Sequence, residues 1–308
     1  MLLLLYLFSI GLFAGLVGSV TGIGGGIIIV PFLSLLLKIP IHLALGTSIV
    51  AVLATSLASS IRFFKKDIIN IPLGLVMEIP TTAGSIIGSV SVAYLKSDAL
   101  FILFGCFAFV SGVLAFIKDR FAKDKFSSDN TSESTSSYTQ NNSSRGTLDN
   151  SPVNVSDTDP SVKSSIFNSS YYDEPSKRRI YYKPRRIAFG SGVSVFAGLL
   201  SGLLGVGGGI IKVPAMNIIM DVPIKVATAT SSYMIGITAV VSSVIYFYNG
   251  YINPDITIPA VIGVLIGATA GSFAAGKLKS RYIIFIILII FSFIGILMFL
   301  RGFKILNY

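Results

Sequence analysis

The sequence predicts an all-α polytopic membrane protein made of two homologous repeats of about five membrane segments each, with helices broken at glycine-rich motifs. Three observations carry that expectation. Composition is the first: 53% of the 308 residues are hydrophobic and 12% are charged, whereas a soluble domain has roughly 25% charged residues. Length is the second, because several apolar stretches reach the roughly 20 residues an α-helix needs to cross about 30 Å of hydrocarbon, and no sustained alternation points to a β-barrel. An internal repeat is the third. Gly22-Ile23-Gly24-Gly25-Gly26-Ile27-Ile28-Ile29-Val30-Pro31 returns as Gly205-Val206-Gly207-Gly208-Gly209-Ile210-Ile211-Lys212-Val213-Pro214, a separation of 183 residues. Without a gap, the same separation pairs Gly15 with Gly198, Pro40 with Pro223, Thr47-Ser48 with Thr230-Ser231, Thr55 with Thr238, Ser59-Ser60 with Ser242-Ser243 and Gly88-Ser89 with Gly271-Ser272.

Leu2 to about Val20 is the first span, and Gly11, Gly15 and Gly18 give it a small face that a neighbouring helix can approach closely. No basic stretch precedes its leucines and no small-residue cleavage site follows, so it is expected to be retained and not removed as a signal peptide. The triple glycine ends it. Gly26 to Leu37 is short for a full crossing at about 1.5 Å per residue, which predicts a half-helix or a short tilted span. Ile41 to Ile61 is long enough to cross, and Pro40 suits its first turn, where the missing N–H is no loss. A basic loop follows, Arg62, Lys65, Lys66 and Asp67, with Arg62 read as an interfacial anchor. Ile68 to about Tyr94, interrupted by Pro72, Glu78 and Pro80, and then Leu100 to Ile117, complete the first repeat, residues 1–117.

Residues 118–187 change character, with sixteen serines and six asparagines. Such a segment buries too little apolar surface to offset its ordering entropy and is expected to be a disordered linker. Its sequons at Asn130, Asn142, Asn154 and Asn168 are read as chance in a Ser/Asn-rich tract. The second repeat, 188–308, follows the first: a span from Ile187 to Leu204, the glycine break, a short segment to Met220, then Ile224 to Phe247, Ile256 to Ala275 and Tyr282 to Leu300.

Loop charge bears on orientation. The loop after the third segment is basic in the first repeat and carries no basic residue in the second (Tyr248 to Tyr251), where Lys277, Lys279 and Arg281 follow the fourth segment instead. Under the positive-inside rule this swap favours inverted repeats, about ten crossings and a cytoplasmic linker. Four crossings plus a re-entrant hairpin per repeat is the alternative.

Composition also narrows function. The net charge of +10 lies between apolar segments, so it is read as a topology determinant and not as a nucleic-acid footprint. A single cysteine, Cys106, allows no intrachain disulfide, and a single histidine, His42, gives no basis for a histidine metal site or catalytic triad; both are read as structural. No cofactor and no metal are expected. No Gly-x-x-x-x-Gly-Lys-Ser/Thr loop is present to bind ATP, and an intramembrane enzyme lacks its nucleophile and base.

The Gly-Ile-Gly-Gly-Gly run with Pro31, Pro40 and Gly46-Thr47-Ser48, matched in the second half by Gly205 to Pro214 and Thr230-Ser231, resembles the TauE/SafE family, the sulfite exporter and related anion permeases. The resemblance covers both membrane halves, and the long linker is not part of the family's pattern. It implies a plasma-membrane secondary transporter, exporting small anions such as sulfite, sulfonates or organosulfur and carboxylate compounds.

Transporters of inverted repeats bind substrate near the midplane, where broken helices aim the partial positive charge of their N-termini at an anion. Gly24, Gly25, Gly26, Gly207, Gly208 and Gly209 are the expected backbone donors, with Thr47, Ser48, Thr230 and Ser231 adding hydroxyls. Close helix packing is the alternative use of the glycines, and bonding to their own helix that of the hydroxyls. Lys212, where the first repeat has Ile29, is the expected substrate cation or else an interfacial snorkel. Glu78, whose repeat partner is Val261, is the expected proton-coupling group. An inside-negative potential would favour exit of the anion. A non-transporting scaffold whose linker docks a partner is the other class of function.

Overall fold

A computed structural model describes residues 2–21, 24–112, 166–173, 178–274 and 293–303. Helix α1 (Leu2–Thr21) leads to the first glycine break, where Gly24 and Gly25 have φ of +98° and +70°. Helix α2 (Gly26–Pro31) starts there and widens into a π-helical turn, Phe32–Leu36. Pro31 has no N–H for the ladder, and a helix relaxes at such a gap by opening its turn. The turn closes at Lys38, φ +55°, with Ile39 N donating to Leu33 O at 3.0 Å.

Helix α3 (Ile41–Phe64) follows, and Pro40 caps it from outside the first turn where the sequence suggested a place within it. The Pro40 carbonyl accepts from Ala44 N at 3.0 Å. Helix α4 (Ile71–Ser91) begins three residues later than expected because the Asn70 side chain caps it, accepting from Leu73 N at 3.1 Å. Helix α5 (Ser97–Gly112) completes the described part of the first half.

The second half repeats this local geometry. Helix α6 (Ile187–Leu204) ends at its break, where Gly207 and Gly208 have φ of +87° and +67°. Helix α7 (Gly209–Pro214) widens after its proline into a π turn, Ala215–Ile219, and Asp221 takes the φ of +55° that Lys38 takes. Helices α8 (Ile224–Tyr248), α9 (Pro254–Ala274) and α10 (Phe293–Gly302) follow. Lys277, Lys279, Arg281 and the start of the last expected span lie outside the described residues, as do Gly22 and Ile23.

Packing is reciprocal between halves. Helix α1 lies along α9, α4 along α6, and α3 crosses α8 at the centre. Gly15 approaches the backbone of Val264 too closely for a side chain, and Gly198, its counterpart, so approaches Thr81, the counterpart of Val264. Gly84 against Val195 and Gly267 against Leu12 form a second such set. Only small residues let helix backbones come this near.

Helices α1, α3, α4, α6, α8 and α9 are long and apolar enough to cross a membrane, and Gly26–Leu36, Ser97–Gly112, Gly209–Ile219 and Phe293–Gly302 are shorter apolar helices. Large apolar side chains such as Ile79, Ile87, Phe196 and Ile258 face outward while Glu78, Lys212 and many hydroxyls are buried. That is the distribution expected where lipid is the solvent.

One stretch differs from expectation. The end of the linker, read as disordered, forms an antiparallel hairpin of β1 (Ser169–Asp173) and β2 (Arg178–Tyr182), with Tyr171 opposite Ile180. Tyr171 and Tyr182 are buried in a cluster with Met77, Met216, Met220 and Met234. These aromatic residues supply the apolar surface that the Ser/Asn tract lacks. Residues 113–165, which hold the end of the expected span Leu100 to Ile117 and the linker with its sequons at Asn130, Asn142 and Asn154, lie outside the described residues.

Candidate functional site

The two glycine breaks meet at the centre. A side chain on Gly26 would meet Gly205 O at 2.5 Å, and one on Gly24 would rest on Val52, the same α3 residue that lies against Gly207. Ser48, one turn before Val52, ties the breaks together: its Oγ is 2.7 Å from Gly205 O and 3.2 Å from Gly26 O. All six expected glycines are buried here. The capping glycines occupy part of the first-turn donors, since Ile28 N and Ile29 N bond Gly25 O, and Ile211 N and Lys212 N bond Gly208 O.

The four expected hydroxyls are fully buried. Ser48 donates to the carbonyls of the breaks. Thr47 Oγ1 meets Thr257 Oγ1 at 3.1 Å, and Thr230 Oγ1 accepts from Asn70 N at 3.1 Å. Ser231 Oγ has no hydrogen-bond partner among the described residues. Three of the four therefore join separate segments and do not bond their own helix.

Beside the first break lies a small cleft lined by Gly18, Gly24, Thr55, Ser56, Ser59 and Ser232. Thr55 and Ser59 donate to Ala51 O and Thr55 O, each at 2.8 Å, and Ser56 donates to Ser232 O. Apart from Gly24, none of these stood out in sequence as a site residue. Their signal was there, since Thr55 and Ser59 recur in the second half as Thr238 and Ser242.

At the matching place, the residue equivalent to Thr55, Thr238, stands between the partners of an ion pair. Lys212 Nζ lies 3.6 Å from Glu78 Oε2, with the two side chains 0% and 5% exposed. Thr238 Oγ1 is 2.5 Å from Glu78 Oε1 and 3.3 Å from Lys212 Nζ, and Thr82 Oγ1 is 3.3 Å from Glu78 Oε1. Sequence singled out Lys212 and Glu78 separately, and the fold makes them one site. The repeat counterparts of Lys212, Glu78 and Thr238 are Ile29, Val261 and Thr55, so the two halves together form one ion pair and the equivalent place carries no charge. A buried pair of this kind adds little net stability over apolar residues, but removing either partner costs about 3–5 kcal/mol.

Among the described residues, no three His, Cys, Asp or Glu side chains gather as metal ligands. His42 packs on the Tyr251 ring at 5.0 Å, and Cys106 is an exposed thiol.

Residues 7–298 match the family described as sulfite exporter TauE/SafE. The chain is 27% identical over 293 residues to the probable membrane transporter protein YunE of Bacillus subtilis, covering 93% of each. It is 23% identical to the probable membrane transporter protein YdhB of the same organism, covering 88% of this chain and 89% of that protein. A probable membrane transporter protein of Methanocaldococcus jannaschii is 24% identical, with 97% of each covered. No solved structure matches the chain.

Proposed function

The chain belongs to the TauE/SafE sulfite exporter family, and its similar relatives are described as probable membrane transporters; we propose that it is a secondary transporter exporting small anions such as sulfite, sulfonates or carboxylates. The single observation that carries this reading is the junction of the two glycine breaks. Two helices start there with glycine caps at φ +70° and +67°, and buried Lys212 lies in the first turn of the second, its backbone N–H donating to Gly208 O at 3.1 Å. Helix starts carry partial positive charge, and glycine lets a solute approach the backbone. The anion lies between Gly24 to Gly26 and Gly207 to Gly209, with Lys212 as the positive charge and Ser231 as the hydroxyl left to donate. Glu78 is the group that takes a proton.

The reciprocal helix pairs supply two bodies that rock against each other around this point, which is how repeat-built transporters alternate access. The repeats are inverted in this reading, the protein resides in the plasma membrane, and the linker is cytoplasmic. Purified protein in liposomes, tested for flux of labelled sulfite, sulfoacetate and small carboxylates, decides the matter. Saturable flux is expected for wild type and none for Gly208→Leu at equal insertion. Absence of flux for every anion under any gradient would sink the reading and favour a scaffold.

A further inference from the structure

We infer that Glu78 is a built-in substitute for the substrate: the transported anion takes its place on Lys212, so that one proton moves with each anion. This rests on the reading that an anion crosses at this centre, and it adds the coupling rule for that site.

The geometry supplies each part. Lys212 is fully enclosed, and of its three ammonium donors one is matched, at 3.3 Å to Thr238 Oγ1, besides the 3.6 Å ion pair. Glu78 Oε2 accepts no hydrogen bond among the described residues. The pair is therefore neutral in charge and incomplete in hydrogen bonding. It has the shape of a cation holding a carboxylate that a better ligand displaces.

The surroundings leave few other ways to balance charge. Helix α4 carries no second ionisable residue, and α6, packed along it, carries none. On α8 the ionisable groups are Lys225, Tyr233, Tyr246 and Tyr248; Lys225 lies at the exposed helix start and Tyr246 donates to Gly202 O. Lys212 is the charge that acts on Glu78, and Glu78 the one that acts on Lys212. An arriving anion would face an ionised carboxylate in a dry site, where like charges cannot share one cation cheaply. Protonating Glu78 removes the conflict and turns the carboxylate into a donor toward Thr238 or the anion.

Both carrier states are then neutral, Lys212 with Glu78 when empty and Lys212 with the anion and a protonated Glu78 when loaded. Transport is electroneutral, and its direction follows the anion gradient and the pH difference in place of the membrane potential. The ligand class is a small singly charged oxyanion, of the size and charge of the carboxylate it displaces. Ile29 and Val261 at the matching positions are apolar, so only one of the two equivalent places can work this way.

The test uses the full chain in liposomes with potential clamped, an internal pH dye, and methanesulfonate, acetate and sulfite as probes; methanesulfonate does not titrate in the working range. Wild type is expected to move about one proton per anion, to ignore the clamped potential, and to lose affinity about tenfold per pH unit once Glu78 has released its proton. Glu78→Gln is expected to carry anion with no proton movement, with pH dependence under about twofold between about pH 5 and 8, and with new sensitivity to potential. If Glu78→Gln does not fold, proton uptake on methanesulfonate binding to wild type in unbuffered detergent gives the same answer, about one proton per anion. Anion flux without proton movement in wild type, or proton movement retained in Glu78→Gln, overturns the inference while leaving anion transport standing. Absence of any anion flux in wild type overturns both.

Discussion

Ser48 Oγ donates to Gly205 O across 2.7 Å, so a helix of the first half is fastened to the glycine break of the second. The carbonyl has left its helical ladder and lies in a buried place where water cannot replace the hydroxyl. Ser48→Ala is therefore expected to cost about 1–3 kcal/mol, the usual penalty for a buried acceptor left unpaired. Thermal unfolding in detergent checks this, and an unchanged midpoint would show that the tie is dispensable.

Gly25→Ala and Gly208→Ala should harm the protein about equally. Both residues have φ near +70°, which costs an L-residue about 1–2 kcal/mol. Both also lack room, since an added Cβ would meet Ala14 O at 2.7 Å and Ala197 O at 2.8 Å. Gly250 has φ +72° but nothing within 4 Å of the added atom, so Gly250→Ala carries the backbone cost alone. Comparing unfolding and flux in the three variants separates strain from crowding; similar loss of flux in all three would refute the crowding term.

Lys212→Met alone is expected to destabilise by about 3–5 kcal/mol, because it strands a buried carboxylate. Adding Glu78→Gln should recover most of that stability while flux stays absent. The double-mutant cycle on unfolding free energy reads the coupling. Additive losses would mean that the 3.6 Å pair contributes nothing.

Asn70 holds the linker hairpin to the helices. Its Oδ1 caps α4 and its Nδ2 donates to Phe167 O at 3.0 Å and Tyr182 Oη at 3.1 Å. Burial holds the Tyr182 phenol above its ordinary value, so it remains neutral through physiological pH and the contact should not vary with pH there. Asn70→Ala is expected to lose about 1 kcal/mol for the cap and to expose the hairpin to protease. Limited proteolysis across residues 166–186 measures it, and unchanged cleavage would show that the tyrosines alone hold the hairpin.

Local structure is legible in the order of residues. Apolar runs define helices because a polypeptide in lipid must satisfy its backbone internally. Paired glycines define breaks, each proline defines where a short helix loosens, and the 183-residue repeat marks equivalent parts such as Lys38 and Asp221 before any packing is known. Tyr171 and Tyr182 were also there to be read, but the Ser/Asn composition around them hid the hairpin.

Which distant groups share one environment follows from the packing of the helices. Nothing in the periodicity of α4 says that Glu78 meets Lys212, or that Thr238 stands between them while its counterpart Thr55 lines a cleft. Nor does the motif say that Ser48 reaches the opposite break. Those contacts depend on how the helix pairs cross, which is set by small-residue faces meeting across the two halves, a three-dimensional fit that no single segment encodes.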